Sequence, residues 1–169
     1  MKNSKKEASN KKTNKVIKLA NQLQKELKPY CKRIKLAGSI RRKEKNPKDI
    51  DIVIIPKDKE KIFEILDKKG KKLQAGDKKV YFKINGIKVE IYYTNEKSWG
   101  ATLLAYSSKK GAAIGLRILA RKKGFKLNQY GLFKKTKKNN KKTWKYIAGK
   151  TEKEIYNALD RKWKPPEER

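Results

Sequence analysis

The sequence predicts an α+β fold: a mixed sheet with flanking helices, followed by a small helical subdomain with a short β-sheet. Three observations predict it. Strand-like and amphipathic helical segments alternate through the first half. Asn85-Gly86 divides two β-rich runs as a type I′ hairpin turn would. After Thr94 the apolar spacing turns helical, and Gly124 ends a stretch rich in Ala, Ile and Leu.

Taken in order, residues 1–13 carry Lys2, Lys5, Lys6, Lys11 and Lys12 with almost nothing apolar, and are expected to form a disordered basic arm. Over residues 14–29, Val16, Ala20, Leu23 and Leu27 recur beside Leu19, predicting an amphipathic helix. A short strand over 33–37 leads to Gly38-Ser39, which opens a short basic turn or helix that Asn46-Pro47 breaks. The most apolar strand follows over 49–55. Its alternation puts Ile50, Ile52 and Ile54 on one face and Asp49, Asp51 and Val53 on the other.

Residues 57–69 read as a helix burying Ile62, Phe63, Ile65 and Leu66, and strands over 79–84 and 87–93 flank the hairpin turn. Helices are predicted over 98–106 and 110–123. Short strands over 126–135 and 142–147 enclose a Lys/Asn loop, and Thr151 to Glu154 is a capping box that starts a last short helix. Trp144, Trp163 and Tyr146 are assigned to core packing, with stacking on bases as the alternative.

Composition excludes much chemistry. The 169 residues hold no His and one Cys, so imidazole bases, His-ligated metals, an internal disulfide and multi-Cys zinc sites are all ruled out. Any metal must sit on oxygen. With 49 Lys and Arg against 17 Asp and Glu the net charge is +32, which draws polyanions, nucleic acid foremost. No apolar run is long enough to span a bilayer and no signal core is visible, so the expected location is intracellular, in cytoplasm or nucleoid, or in a virion or nucleus for a viral or eukaryotic source.

Asp49 and Asp51, two of six Asp in the chain, interrupt an otherwise apolar strand. Two residues apart on a strand, their carboxylates project from one face and suit hard cations such as Mg²⁺, although exposed strand edges also carry acidic pairs of this kind. On the second hairpin strand, parity sets Val89 and Ile91 against Lys88, Glu90 and Tyr92. If both apolar faces meet one core, Glu90 joins the two aspartates; a salt bridge with Lys88 is its alternative role. Gly38 and Ser39 offer backbone N–H groups and a hydroxyl as a phosphate cradle, with Arg41 and Arg42 adding charge, and an ordinary turn is the competing reading.

These residues resemble a known family. Gly38-Ser39-Ile40-Arg41-Arg42 with Asp49-Ile50-Asp51 looks like the nucleotidyltransferase superfamily, and the second half narrows the resemblance to the DNA polymerase X family. Trp99-Gly100-Ala101, then Tyr106 to Lys110 and Arg117, resemble the segment around that family's Tyr-Phe-Thr-Gly-Ser motif. Lys123 to Phe133 resembles its Asn-Glu-Tyr-Gly-Leu segment, and Trp163 to Arg169 its C-terminus. The resemblance implies a nucleotidyltransferase palm over 14–93 and a nucleotide-binding thumb or fingers subdomain over 94–169. That is the minimal two-domain form of the small viral members, without the lyase or phosphoesterase domains of larger relatives.

It further implies a template-directed, low-fidelity DNA polymerase for short-gap repair, acting as a monomer on gapped or primer-template DNA and deoxynucleoside triphosphates. Asp49, Asp51 and Glu90 would be catalytic and would hold two Mg²⁺, with Mn²⁺ as a substitute. Gly38, Ser39, Arg42, Ala105, Tyr106, Ser107, Ser108 and Ala113 would bind nucleotide, and Lys88, Arg117, Lys126, Asn128 and Tyr130 would bind DNA. The chain departs from the family at Glu90, where Asp is usual, and at Ala105, Ser107 to Lys109 and Ala113, positions tied to sugar and base selection. Two alternatives stand beside this reading: a template-independent or RNA- or protein-modifying nucleotidyltransferase, and a DNA-binding module whose site has decayed.

Overall fold

The computed structural model describes residues 2–138 and 141–169. The chain is α+β and divides into two compact units, residues 1–94 and 95–169. In the first unit, helix α1 (Lys2–Leu27) leads through a 3-10 turn into β1 (Cys31–Leu36), the short helix α2 (Gly38–Arg41), β2 (Ile50–Pro56) and α3 (Lys59–Asp67). Strands β3 (Lys71–Ala75), β4 (Lys79–Ile84) and β5 (Ile87–Tyr93) complete it. The sheet order is β1-β2-β5-β4-β3, mixed because β2 and β5 run parallel while every other pair is antiparallel.

One face of this sheet is dry. Ile50, Ile52 and Ile54 of β2, Phe82 of β4 and Val89 and Ile91 of β5 pack with Val16, Ala20, Leu23 and Leu27 of α1 and with Ile62 and Leu66 of α3. Phe63 meets Phe82 edge-on, ring centroids 5.5 Å apart. Burial of this α1 stripe, rather than helix propensity, is what fixes α1 on the sheet. The β4–β5 turn has Asn85 at φ +50 and Gly86 at φ +78, the two positive values a type I′ turn requires.

Three local expectations need correction. Helix α1 begins at Lys2, so it takes in the segment expected to be a disordered arm, apart from Met1, which lies outside the described residues. No Gly or Pro interrupts residues 2–27, and Lys, Ala, Glu and Gln all sustain helix. Strand β3 was not expected: every residue of it is exposed, so it carries no apolar alternation, and pairing with β4 alone defines it. Asp49 lies in a bend just before β2, exposed, and not on the strand.

The second unit contains α4 (Trp99–Ser107), α5 (Lys110–Lys122), a three-stranded antiparallel sheet of β6 (Phe125–Asn128), β7 (Gly131–Lys138) and β8 (Lys141–Ala148), and α6 (Glu152–Ala158). Asn139 and Asn140 of the expected Lys/Asn loop lie outside the described residues. Ala101, Leu104, Ala120, Leu132, Ile155 and Leu159 form its core. Helix α6 starts with the expected capping box, Thr151 accepting from the Glu154 N–H at 3.1 Å while the Glu154 carboxylate accepts from the Thr151 N–H at 3.3 Å. Arg169 closes the unit: its guanidinium is buried and pairs with Glu152 at 2.8 Å. Trp144 is 48% exposed, which overturns its assignment to core packing, whereas Trp163 packs against the second core. Among the described residues no helix is long and apolar enough to cross a membrane.

Candidate functional site

The parallel pairing of β2 with β5 sets Asp51 directly opposite Glu90. Their neighbours Ile50, Ile52, Val89 and Ile91 turn to the core, so the alternation of both strands sends the two carboxylates to the other face of the sheet. Tyr92, two residues beyond Glu90 on that same face, donates its hydroxyl toward Asp51 Oδ1 at 3.3 Å and also bonds the Glu90 carboxylate. Lys88, two residues before Glu90, forms an ion pair with it and lies over the Tyr81 ring. The salt bridge considered for Glu90 is thus present, beside the pairing with Asp51.

Electrostatics follow from this crowding. Burial, and next the negative charge of Glu90, push the Asp51 carboxyl up to about 6; the Tyr92 hydrogen bond works against that rise, Asp49 adds to it, and Arg42 opposes it. Lys88 is raised by its bond to Glu90. Tyr92 is raised by burial first and then by Glu90, so its hydroxyl stays a donor.

Gly38 abuts the same aspartate. The Ala37 N–H donates to the Asp51 carbonyl at 2.8 Å, fastening the turn to β2, and Gly38 has φ +57. A Cβ at Gly38 would run into the Asp51 carboxylate, so only glycine lets the turn come this close. Ser39 follows within α2 and is half-buried. Arg42 is engaged by Glu44, Nη2 and Nε each 2.9 Å from Oε1.

In the second unit, Ala105, Ala113, Arg117 and Asn128 line one small crevice of about 10 Å³, room for a single water at most. Tyr106 and Ser108 are half-buried at the end of α4, with Ser108 donating to the Leu104 carbonyl at 2.8 Å, while Ser107 is fully buried and offers no exposed hydroxyl. Asn128 accepts from the Tyr130 N–H at 2.8 Å, Tyr130 is exposed, and the Lys126 ammonium stands 5.5 Å from the Trp144 ring centroid.

A family model described as the DNA polymerase beta thumb matches residues 102–169. Two proteins named "Repair DNA polymerase X" from African swine fever virus, of a tick isolate from South Africa and a warthog isolate from Namibia, are each 28% identical over 153 residues, covering 85% of this chain and 84% of the viral protein. The chain is similar to proteins of the DNA polymerase X family. The mixed sheet with flanking helices is compatible with a polymerase beta-like fold.

The donor chemistry here suits a hard divalent cation: two adjoining carboxylates, one of them desolvated and burdened by the other's charge, with oxygen atoms alone on offer. Among the described residues, however, no three Asp, Glu or Cys side chains are gathered to hold a metal as they stand. Asp49 lies on its exposed bend, and Glu90 is drawn to Lys88 and Tyr92. Sequence reasoning placed Tyr92 on the right face but gave it no role. Its parity with Glu90 was the available signal.

Proposed function

We propose that this chain is a template-directed DNA polymerase that extends a primer 3′-hydroxyl across short gaps. The observation that carries the reading is the register of β2 and β5, which sets Asp51 beside Glu90 with the Gly38 turn against Asp51, in a chain similar to viral repair polymerases X. Asp49, Asp51 and Glu90 would hold two Mg²⁺, which supply charge neutralisation at the phosphates and a more acidic primer hydroxyl.

The remaining work falls to the chain itself. Asp51, its backbone held by the sheet and by the Ala37 N–H, fixes one oxygen donor rigidly. Gly38 and Ser39 offer a hydroxyl and the N–H groups at the start of α2 to the triphosphate, and Arg42 brings a guanidinium that must leave Glu44 to reach it. Ala105, Tyr106, Ser108 and Ala113 would face the nucleotide, and Arg117, Lys126, Asn128 and Tyr130 the DNA. Ser107, buried, is left out of that set. Lys88 would release Glu90 and turn to a DNA phosphate.

A second reading, a DNA-binding module with a decayed site, draws on the Lys88 to Glu90 ion pair. Primer extension with and without template, in Mg²⁺ and in Mn²⁺, separates these two and a template-independent enzyme. Templated extension supports the polymerase; extension without template moves the chain to the template-independent class; DNA binding with no extension in either ion supports the decayed module.

A further inference from the structure

The second unit carries a groove whose rim includes Arg117 and Lys126, proposed above to meet DNA, and whose apolar lining has no role so far. It measures about 330 Å³, within the range of small-ligand sites, and lies between α5 and the β6–β8 sheet. Its apolar surface comes from Ile114, Ile118 and Trp144, which are 45%, 40% and 48% exposed although residues of this kind are usually buried. Its rim is cationic. Arg117 and Arg121, one turn apart on α5, share a face, and Lys126 stands across from them above the Trp144 ring. Among the described residues no carboxylate forms an ion pair with any of these three.

An apolar slot closed by an aromatic ring and bordered only by positive charge matches one kind of guest: a flat, apolar-faced group carried on an anionic chain. We propose that the groove takes an unpaired nucleobase of single-stranded DNA, stacked against Trp144, with Arg117, Arg121 and Lys126 on the flanking phosphates. A base inside a duplex has both faces covered and cannot enter. The cations act on phosphates of any sequence, whereas the ring reads only that a base is present and unstacked. The inference rests on the DNA-binding part of the proposed function and adds a preference for unpaired nucleotides.

The test compares three labelled ligands of equal length by fluorescence anisotropy at fixed salt: an oligothymidylate, a fully abasic strand, and a blunt duplex. The 169-residue chain is expected to bind the oligothymidylate roughly 5- to 100-fold more tightly than the abasic strand, since both carry the same phosphates. Trp144→Ala should remove that preference and Trp144→Phe should keep part of it, with duplex affinity within about 2-fold of the parent for both. Trp144 is half-exposed, so both variants should fold, and circular dichroism checks that they do.

Equal affinity of the parent for thymidylate and abasic strands overturns the proposal, as does an equal loss on all three ligands in Trp144→Ala. A concentration-dependent dimer in sedimentation that Trp144→Ala abolishes would assign the groove to a second copy of the chain and overturn it as well. Failure of the parent to bind even the duplex at low salt would sink the DNA-binding reading itself. Duplex binding without base preference sinks this inference alone.

Discussion

Asp51 and Glu90 are paired residue to residue across parallel strands, and one hydroxyl, that of Tyr92, bonds to both. Two like charges are thereby held together with a single neutral donor between them. That arrangement makes Tyr92 the first place to probe.

Tyr92→Phe should destabilise the metal-free protein by about 1–2 kcal/mol at pH 8 and by less at pH 4.5. Asp51 has its folded value raised to about 6 from 3.8, so the stability linked to this group is fully present below about pH 4 and is lost as pH rises through about 6. The Tyr92 hydrogen bond limits that loss by favouring the ionised form, and its removal therefore tells most where Asp51 is ionised. Urea unfolding in EDTA at the two pH values measures the difference; a cost independent of pH would assign Tyr92 to packing alone.

Gly38→Ala should cost about 1–3 kcal/mol, because the residue sits at φ +57 and the new methyl meets the Asp51 carboxylate. Denaturant midpoints check this. A variant as stable as its parent would mean that the turn moves away freely.

Glu90→Gln should lower single-turnover primer extension by roughly 100-fold or more while DNA affinity holds, because a misplaced ligand at the reacting atoms is costly even at about 1 Å. Glu90→Asp keeps the carboxylate at the length usual in the family the chain resembles and should retain or raise the rate. Substantial extension by Glu90→Gln would leave Glu90 as the partner of Lys88 and nothing more.

Binding to duplex DNA should weaken steeply with salt and show little sequence preference, since the 49 Lys and Arg act on phosphates. For about six phosphate contacts, log K against log salt should have a slope of about −5. A flat titration would reject the electrostatic account.

Within the second unit, Arg169→Met leaves Glu152 buried without its guanidinium partner at 2.8 Å and should cost about 3–5 kcal/mol. Pairing it with Glu152→Gln should recover much of the loss. Thermal melts of the single and double variants decide; additive losses would contradict the pairing.

What the sequence revealed tracks how local the cause is. The Asn85-Gly86 turn and the Thr151 capping box are set by a few adjacent residues, and both stand where the pattern put them. The face that Glu90 shares with Asp51 was legible from period-two alternation, which survives because one face of β5 is buried. Strand β3 carried no such trace: its residues touch water on both sides and only the β4 backbone makes it a strand. Asp49 was misplaced by a single position, since nothing in Pro47-Lys48-Asp49-Ile50 marks where a bend gives way to pairing. Trp144 was expected in the core, whereas its exposure depends on what α5 leaves uncovered.

The sheet of the first unit ends in β1 on one side and β3 on the other, and both edges are studded with exposed cations: Lys32, Arg33 and Lys35 on β1, Lys71 and Lys72 on β3. Open backbone edges invite a neighbouring copy to add its own strand, and like charge is what keeps that neighbour away. A bound polyanion cancels the repulsion at both edges at once. Colloidal behaviour should therefore be re-entrant: clear solutions with either component in excess, and turbidity in the narrow band of mixing ratios where the lysines are just neutralised.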